Sequence, residues 1–360
     1  MQIGIIGLPN SSKTTIFDGL TREQVQTEPF SSGKFEIHSA VVEVPDPRVD
    51  HLIQMYAPRK TTRAQVQYND IAGLDPASNR CGSISGALLN AIATNDALLH
   101  VVRAFADERV PHLRGSVDPA RDVRDLDAEL ILSDLAIVEG RMARMQKDLR
   151  RPGPADGEAK FEYDLLQRLK TALENETPLR DLNLTPMEEQ CVRSFALLTL
   201  KPVLVVLNVG DEGPGEVASL LTYTHRRSAV IALRGGLERE LAQMDEQSAD
   251  LFLSEYGIGE PSLRRMIRLS YELLGLQSFF TVGQDEVRAW TMRRGDTAVD
   301  AAGIIHSDLA RGFIRAEVIH YEDLVSAGSE EQAQARGLLH LQGRDYVVQD
   351  GDILNIRFNV

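Results

Sequence analysis

Near its start the chain runs from an apolar stretch, Ile3 to Ile6, into Gly7-Leu8-Pro9-Asn10-Ser11-Ser12-Lys13-Thr14, and then into a helical segment from Thr15 to Leu20. Strand, tight loop, lysine, hydroxyl and helix in that order describe a loop that wraps phosphates. Backbone amides of Asn10, Ser11, Ser12, Lys13, Thr14 and Thr15 are expected to point at the anion, with the positive end of the following helix behind them. Lys13 supplies a point charge, and the Thr14 hydroxyl suits Mg²⁺, which favours oxygen ligands. One position departs from the pattern: Ser12 stands where glycine usually precedes the lysine, and glycine is the residue that tolerates unusual dihedrals.

A loop of this kind requires a mainly parallel sheet, and the later apolar runs supply its strands. Ala64 to Tyr68, Leu98 to Ala104, Val203 to Leu207 and Ala229 to Leu233 alternate with helical patterns, as in βαβ units. Between the Leu98 and Val203 runs the texture changes. Leu126, Leu130, Leu135, Val138, Met142, Met145 and Leu149 recur at about helical spacing. Arg151-Pro152-Gly153-Pro154 stops that helix, and Phe161, Leu165, Leu169 and Leu173 mark a second one. The pair reads as an antiparallel helical hairpin inserted into the α/β domain, with the two methionines in its seam.

From Phe279 a third texture begins. Val287 to Met292, Arg315 to Ile319 and Asp345 to Val348 read as short strands, and Leu354 to Val360 alternates as a half-buried one after the turn Gln349-Asp350-Gly351-Asp352. The expected division is therefore a discontinuous nucleotide-binding domain over 1–118 and 198–277, a helical insertion over 119–197 and a small α+β domain over 278–360.

Two further segments fit the phosphate loop. Asp70-Ile71-Ala72-Gly73 closes a strand. Its aspartate can hold Mg²⁺ and its glycine amide can meet a γ-phosphate, although Asp-x-x-Gly is also a common turn. Leu74 follows, where a glutamine would orient the attacking water. Asn208-Val209-Gly210-Asp211 follows the Val203 run at the place of a base-reading Asn-Lys-x-Asp, with valine for lysine; a capped turn is the other reading. Ala232 and Leu233 then form the remaining wall of a base pocket.

Composition narrows the setting. The 360 residues carry a net charge of −14, which argues against a general nucleic-acid coat and gives no reason to expect DNA binding. The basic cluster of Arg141, Arg144, Lys147, Arg150 and Arg151 reads as a solvated helix face or a contact for an anionic partner. Arg288, Arg293, Arg294, Arg311 and Arg315 admit the same two readings. No apolar run is long enough to span a membrane, and no signal sequence is evident at the start. Cys81 and Cys191 suit a reducing compartment, so a cytoplasmic protein is expected.

Taken together, Gly7-Leu8-Pro9-Asn10, Pro45-Asp46-Pro47-Arg48, Asp70-Ile71-Ala72-Gly73-Leu74, His100-Val101-Val102-Arg103, Val117-Asp118-Pro119, Asn208, Val287-Arg288-Ala289-Trp290-Thr291, Gly312 to Glu317, Gln349 to Asp352 and the closing Arg357 to Val360 resemble the Obg-like ATPases, the YchF-type branch of the translation-factor GTPase class. The resemblance covers essentially the whole chain. It implies a P-loop G domain, an inserted antiparallel coiled coil and a C-terminal TGS domain of ubiquitin-like β-grasp fold. It also implies a Mg²⁺-dependent switch that binds and hydrolyses ATP and associates with ribosomes through the coiled coil and the TGS domain.

The resemblance places Asn208 against adenine, with Val209 contributing backbone contacts, whereas Asp211 is the guanine-reading type, so a GTPase remains an alternative. It assigns support of hydrolysis to His112, in the loop after the Val-Val-Arg strand. It makes Ser32 the substitute for the switch threonine that binds Mg²⁺, with Lys34 as the other alignment. Ser12, Ser32 and Leu74 together motivate a second alternative, a nucleotide-dependent binding protein with little or no hydrolysis.

Overall fold

The computed structural model describes residues 1–23, 27–32, 35–71, 86–148, 156–210, 217–255 and 258–359. The chain opens with β1 (Gln2–Ile6), α1 (Lys13–Glu23), β2 (Thr27–Ser32), β3 (Phe35–Glu43), α2 (Pro47–Tyr56), β4 (Lys60–Thr62), β5 (Gln65–Ile71), α3 (Gly86–Ala93) and β6 (Ala97–Arg103). Two long helices follow, α4 (Pro119–Asp148) and α5 (Asp156–Glu174), then α6 (Pro186–Val192), β7 (Val203–Asn208), α7 (Val217–Leu220), β8 (Ser228–Leu233), α8 (Gly235–Leu241), α9 (Glu246–Glu255) and α10 (Ser262–Leu273). The last part holds β9 (Leu276–Thr281), β10 (Glu286–Arg293), α11 (Ala298–Ile305), α12 (Ser307–Arg311), β11 (Phe313–Ile319), α13 (Tyr321–Ala327), α14 (Glu330–Ala335), β12 (His340–Gln342) and β13 (Ile353–Phe358).

These elements group into two units, Met1–Val42 with Gln67–Leu273, and Glu43–Val66 with Leu274–Val360. The first is built on a seven-stranded sheet of order β2-β3-β5-β1-β6-β7-β8. From β5 through β1, β6, β7 and β8 the strands are parallel. Every residue of β6 and β7 is buried, as expected of central strands covered on both faces. Gly7 ends β1 at φ +151, and a Cβ there would lie 2.3 Å from the Val101 carbonyl oxygen, so only glycine lets the chain leave the strand beside β6.

The first inserted helix, α4, joins the core of the sheet at its start and a separate core with α5 farther along. Asp118 and Pro119 start α4: the Asp118 carboxylate accepts from the Arg121 amide at 3.0 Å, and proline costs nothing where the amide has no helical partner. Val123, Leu126 and Leu130 then pack with Val203, Val205 and Leu207 in the core of the sheet. Farther along the same helix, Ile131, Val138 and Met145 pack with Leu165, Leu166, Leu169 and Leu173 of α5, and Met142 is partly buried against them. The methionines thus lie in the seam, as expected. The turn expected at 151–154, like Leu149, Arg150 and Arg151, lies outside the described residues.

The second unit carries a six-stranded sheet of order β12-β11-β13-β9-β10-β4. Counted from β9, the five C-terminal strands run 2-1-5-3-4, with β9 and β13 parallel at the centre and α11 packed on one face. This is the ubiquitin-like β-grasp order. Residues 43–66, expected with the nucleotide-binding domain, group here: β4 pairs in parallel with β10, and α2 packs on β10. Asp345–Val348 is not a strand. Among the described residues its one ladder contact is a bridge from Val347 to Thr297, because residues 344–345 are spent on a turn. The neighbouring strand is instead β12, paired with β11.

Candidate functional site

The loop between β1 and α1 opens at the carboxyl ends of the parallel strands, the edge at which open α/β sheets bind ligands. Ser12 occupies the left-handed region at φ +72 and Asn10 does so at φ +63. Serine therefore takes the conformation that glycine would supply, at a cost of about 1–2 kcal/mol for a side chain there. The Ser12 carbonyl accepts from Ile16 at 3.1 Å, so the strained residue is also where helix α1 begins. The first turn of α1 carries no acidic residue to oppose an anion.

Lys13 folds over this loop. Its ammonium donates to the Gly7 and Leu8 carbonyls at 2.9 and 3.0 Å. Burial lowers its pKa, and the nearby Asp70 carboxylate works against that shift. Asp70, near the end of β5, shows the opposite sign: burial raises its pKa, while Lys13 and the Thr14 hydroxyl pull it back. Thr14 Oγ1 stands 3.4 Å from Asp70 Oδ2, a long hydrogen bond. Asp70 Oδ1 is buried without a partner among the described residues. A buried carboxylate oxygen lacking a donor, beside a threonine hydroxyl, is a pair of hard oxygens that suits Mg²⁺.

Ser32 ends β2, the edge strand of the sheet, paired with β3. Strand β2 forms a hairpin with β3, and the Ser32 side chain, with its expected metal role, lies outside what the structure describes. Gly73, Leu74 and Asp211 lie outside the described residues.

The residues expected to wall a base pocket lie at the ends of β7 and β8, where Leu207 is opposite Ala232 and Asn208 opposite Leu233. Asn208 is buried, and its Oδ1 accepts from the Gly235 amide at 2.9 Å. A Cβ at Gly235 would approach that oxygen to 2.8 Å, so Asn208 ties the start of α8 to the strand end. The Val209 amide donates to the Leu233 carbonyl at 2.9 Å, which closes this wall by its backbone.

A small pocket lies between the phosphate loop and the end of β6, lined by Leu8, Pro9, Ser11, Arg103, His112 and Asp122 among others. His112 thus lines the same pocket as Leu8, Pro9 and Ser11 of the loop. Its Nε2 is 2.9 Å from Asp122 Oδ2, and its Nδ1 accepts from the Arg114 amide at 3.2 Å. His100, also on this pocket, is held neutral by burial, then by the positive charges of Lys13 and Arg180, with its pKa pushed down to about 3. Sequence reasoning assigned no role to Arg103 or Asp122. Arg103 donates to the Phe105 carbonyl at 3.0 Å and lies over the Phe105 ring, while its Nη1 is buried without a partner among the described residues. Arg103 lay inside a motif run and Asp122 just beyond one; only the packing of α4 reveals the pocket.

Fold and site together define a P-loop nucleotide-binding protein of the G-domain type, with a helical insertion and a β-grasp unit. The YchF-GTPase_C model, described as "Protein of unknown function (DUF933)", matches residues 276–359. The chain is 39% identical to the "Ribosome-binding ATPase YchF" of Bacillus subtilis (strain 168), over 100% of both chains. It is 34% identical to "Obg-like ATPase 1" of Caenorhabditis elegans, over 100% of this chain and 92% of that one. The solved YchF GTPase of Schizosaccharomyces pombe superposes with a TM-score of 0.87 at 29% identity, covering 99% of this chain and 97% of that one. This chain belongs to the YchF family of Obg-like ATPases.

Proposed function

We propose that this chain is a Mg²⁺-dependent ATPase that acts as a ribosome-associated switch in the cytoplasm. The observation that carries the reading is the convergence of Lys13, Thr14 and Asp70 on a loop whose Ser12 is bent into the glycine conformation. The names of full-length relatives, ribosome-binding ATPases, supply the nucleotide and the partner.

In this reading the Asn10 to Thr15 amides and the α1 N-terminus hold the phosphates. Lys13 exchanges its two loop carbonyls for phosphate oxygens, which suits a buried ammonium far better. Thr14 and Asp70 hold Mg²⁺, which when bound neutralises charge developing on the phosphates. Asn208 and Val209, with Ala232 and Leu233, receive the base. His112 supports attack by water in place of a catalytic glutamine. The helices α4 and α5 form the partner-binding coiled coil and the β-grasp unit acts as a TGS domain, both toward the ribosome.

Phosphate release from Mg²⁺-ATP by the purified protein, against Lys13→Ala, tests the reading. A rate well above that of the variant is expected; equal rates would leave a nucleotide-binding protein without hydrolysis. A second reading, GTP as substrate, is favoured by Asp211 and by the similar S. pombe protein, described as a GTPase. Competition of ATP against GTP for the same site separates the two, with ATP expected to win.

A further inference from the structure

We infer that Asp122 is a positioning residue for His112: it fixes the imidazole as the Nε2–H tautomer and so makes Nδ1 the atom that acts on the attacking water. The inference deepens the hydrolysis reading above and rests on it for the role of His112.

Both ring nitrogens have defined neighbours. Nδ1 accepts an amide N–H from Arg114 at 3.2 Å, so it carries a lone pair. The proton of a neutral ring is then on Nε2, where Asp122 Oδ2 accepts it at 2.9 Å. Asp122 is itself held. Its other oxygen, Oδ1, accepts from the Arg121 guanidinium at 3.0 and 2.8 Å, which turns Oδ2 toward the histidine. Its side chain is 3% exposed, and it sits in the first turn of α4, whose next turns are locked into the sheet core. A carboxylate this fixed determines both the orientation of the ring and its tautomer.

Of the two contacts, the one to Arg114 is the weaker and the easier to exchange. It is longer, it comes from a residue two positions away in a loop, and Arg114 is exposed, so its amide finds water when released. A water that takes its place faces Nδ1. In the step this permits, the water oxygen bonds to the γ-phosphorus as the bond from phosphorus to the β,γ-bridging oxygen breaks. ADP leaves with that electron pair, and the water proton passes to Nδ1. The resulting imidazolium keeps its Nε2–H on Asp122, whose negative charge stabilises it. A carboxylate that served only to start α4 would leave the tautomer and kcat untouched.

The test compares the full-length wild type with Asp122→Ala, His112→Ala and the double variant in steady-state hydrolysis of Mg²⁺-ATP. Nucleotide affinity is measured alongside, and ¹⁵N spectra of histidine-labelled protein report the tautomer. Asp122→Ala is expected to lower kcat tenfold or more, by analogy with the roughly 10²-fold worth of a positioned acid–base group, while ATP affinity changes by less than about twofold. In the double variant the loss should equal that of His112→Ala alone. The wild-type spectrum should show an Nε2–H ring at residue 112, and the signature should be lost in Asp122→Ala.

If Asp122→Ala fails to fold, Asp122→Asn keeps the volume and removes the charge; the same fall in kcat is expected. Unchanged kcat in a folded Asp122 variant, multiplying losses in the double variant, or a wild-type Nδ1–H ring would each overturn the inference while leaving the ATPase reading standing. Wild-type kcat in His112→Ala would instead remove the hydrolytic role of His112, and the inference with it.

Discussion

The Thr14 hydroxyl stands 3.4 Å from Asp70 Oδ2, although the two residues are 56 positions apart. The contact joins the start of α1 to the end of β5 across adjacent strands of the sheet. It leaves the other Asp70 oxygen buried and unpartnered among the described residues. Thr14→Val keeps the volume and removes the hydroxyl. It should raise the Mg²⁺ concentration needed for half-maximal nucleotide binding by roughly 10- to 100-fold, the usual penalty at metal sites. Titration of Mg²⁺ against a fluorescent ATP analogue reads the shift, and an unchanged Mg²⁺ requirement would remove Thr14 from the metal set.

The Asp70 carboxyl also gives a pH dependence of known sign. Burial raises its pKa above the usual carboxylate value. A raised carboxyl favours the folded state below the usual carboxylate range and loses that contribution as the pH rises through the raised value. Asp70→Asn should therefore melt at a higher temperature than the wild type at neutral pH without nucleotide. The gap should close as the pH falls toward the usual carboxylate range. Differential scanning calorimetry across that range checks the prediction; a gap that widens in acid would reverse it.

Ser12 sits at φ +72, where a side chain costs about 1–2 kcal/mol relative to glycine. Ser12→Gly should preserve ATP binding. Ser12→Val, β-branched and at positive φ, should melt lower than Ser12→Gly and bind ATP more weakly. Thermal melts and nucleotide titrations of the two variants decide it. Equal behaviour would mean that the loop does not hold this conformation in solution.

Asn208 ties β7 to α8 through the Gly235 amide. Asn208→Ala leaves that buried donor without its acceptor, a loss of about 1–3 kcal/mol in stability. On the proposed reading, in which Asn208 walls the base pocket, it should also blunt the discrimination between ATP and GTP. Chemical denaturation and paired competition titrations measure the two effects.

The C-terminal unit offers an independent check on its own construction. Arg48 pairs with Asp46 and Asp350, both at 2.9 Å, and the pairings raise its pKa. Gly351, at φ +92, passes so close that a Cβ there would meet the Arg48 guanidinium at 2.7 Å. Gly351→Ala should destabilise this unit by at least about 1 kcal/mol through positive φ alone. A thermal melt reads it, and wild-type stability would show that the turn relaxes freely.

Much of this was legible because local patterns and tertiary demands agree. The apolar run Val203 to Leu207, the helical spacing from Leu126 to Met145 and the Gly7 to Thr14 loop each have a period or a residue order that admits one reading. Pro45 to Arg48 and Gln349 to Asp352 are separate motif runs in the sequence. In the structure they are a single contact, with Arg48 on Asp350, and no local pattern reports a pairing across 302 positions. The same limit hid the parallel pairing of Lys60–Thr62 with β10. Asp345–Val348 misled because a short apolar run after a turn imitates a strand, while only Val347 makes a bridge. In the site, Lys13, Thr14 and Asp70 followed from residue types at strand ends. Asp122 did not, because a carboxylate in the first turn of a helix is ordinary until the fold brings a histidine to it.

Calorimetric titration of Mg²⁺-ATP into the wild type and Lys13→Ala addresses most directly the claim that the loop between β1 and α1 cradles a triphosphate. Saturable binding at one site per chain, lost or greatly weakened in Lys13→Ala, is the predicted result. No heat at saturating nucleotide, or the same isotherm from both proteins, would contradict it.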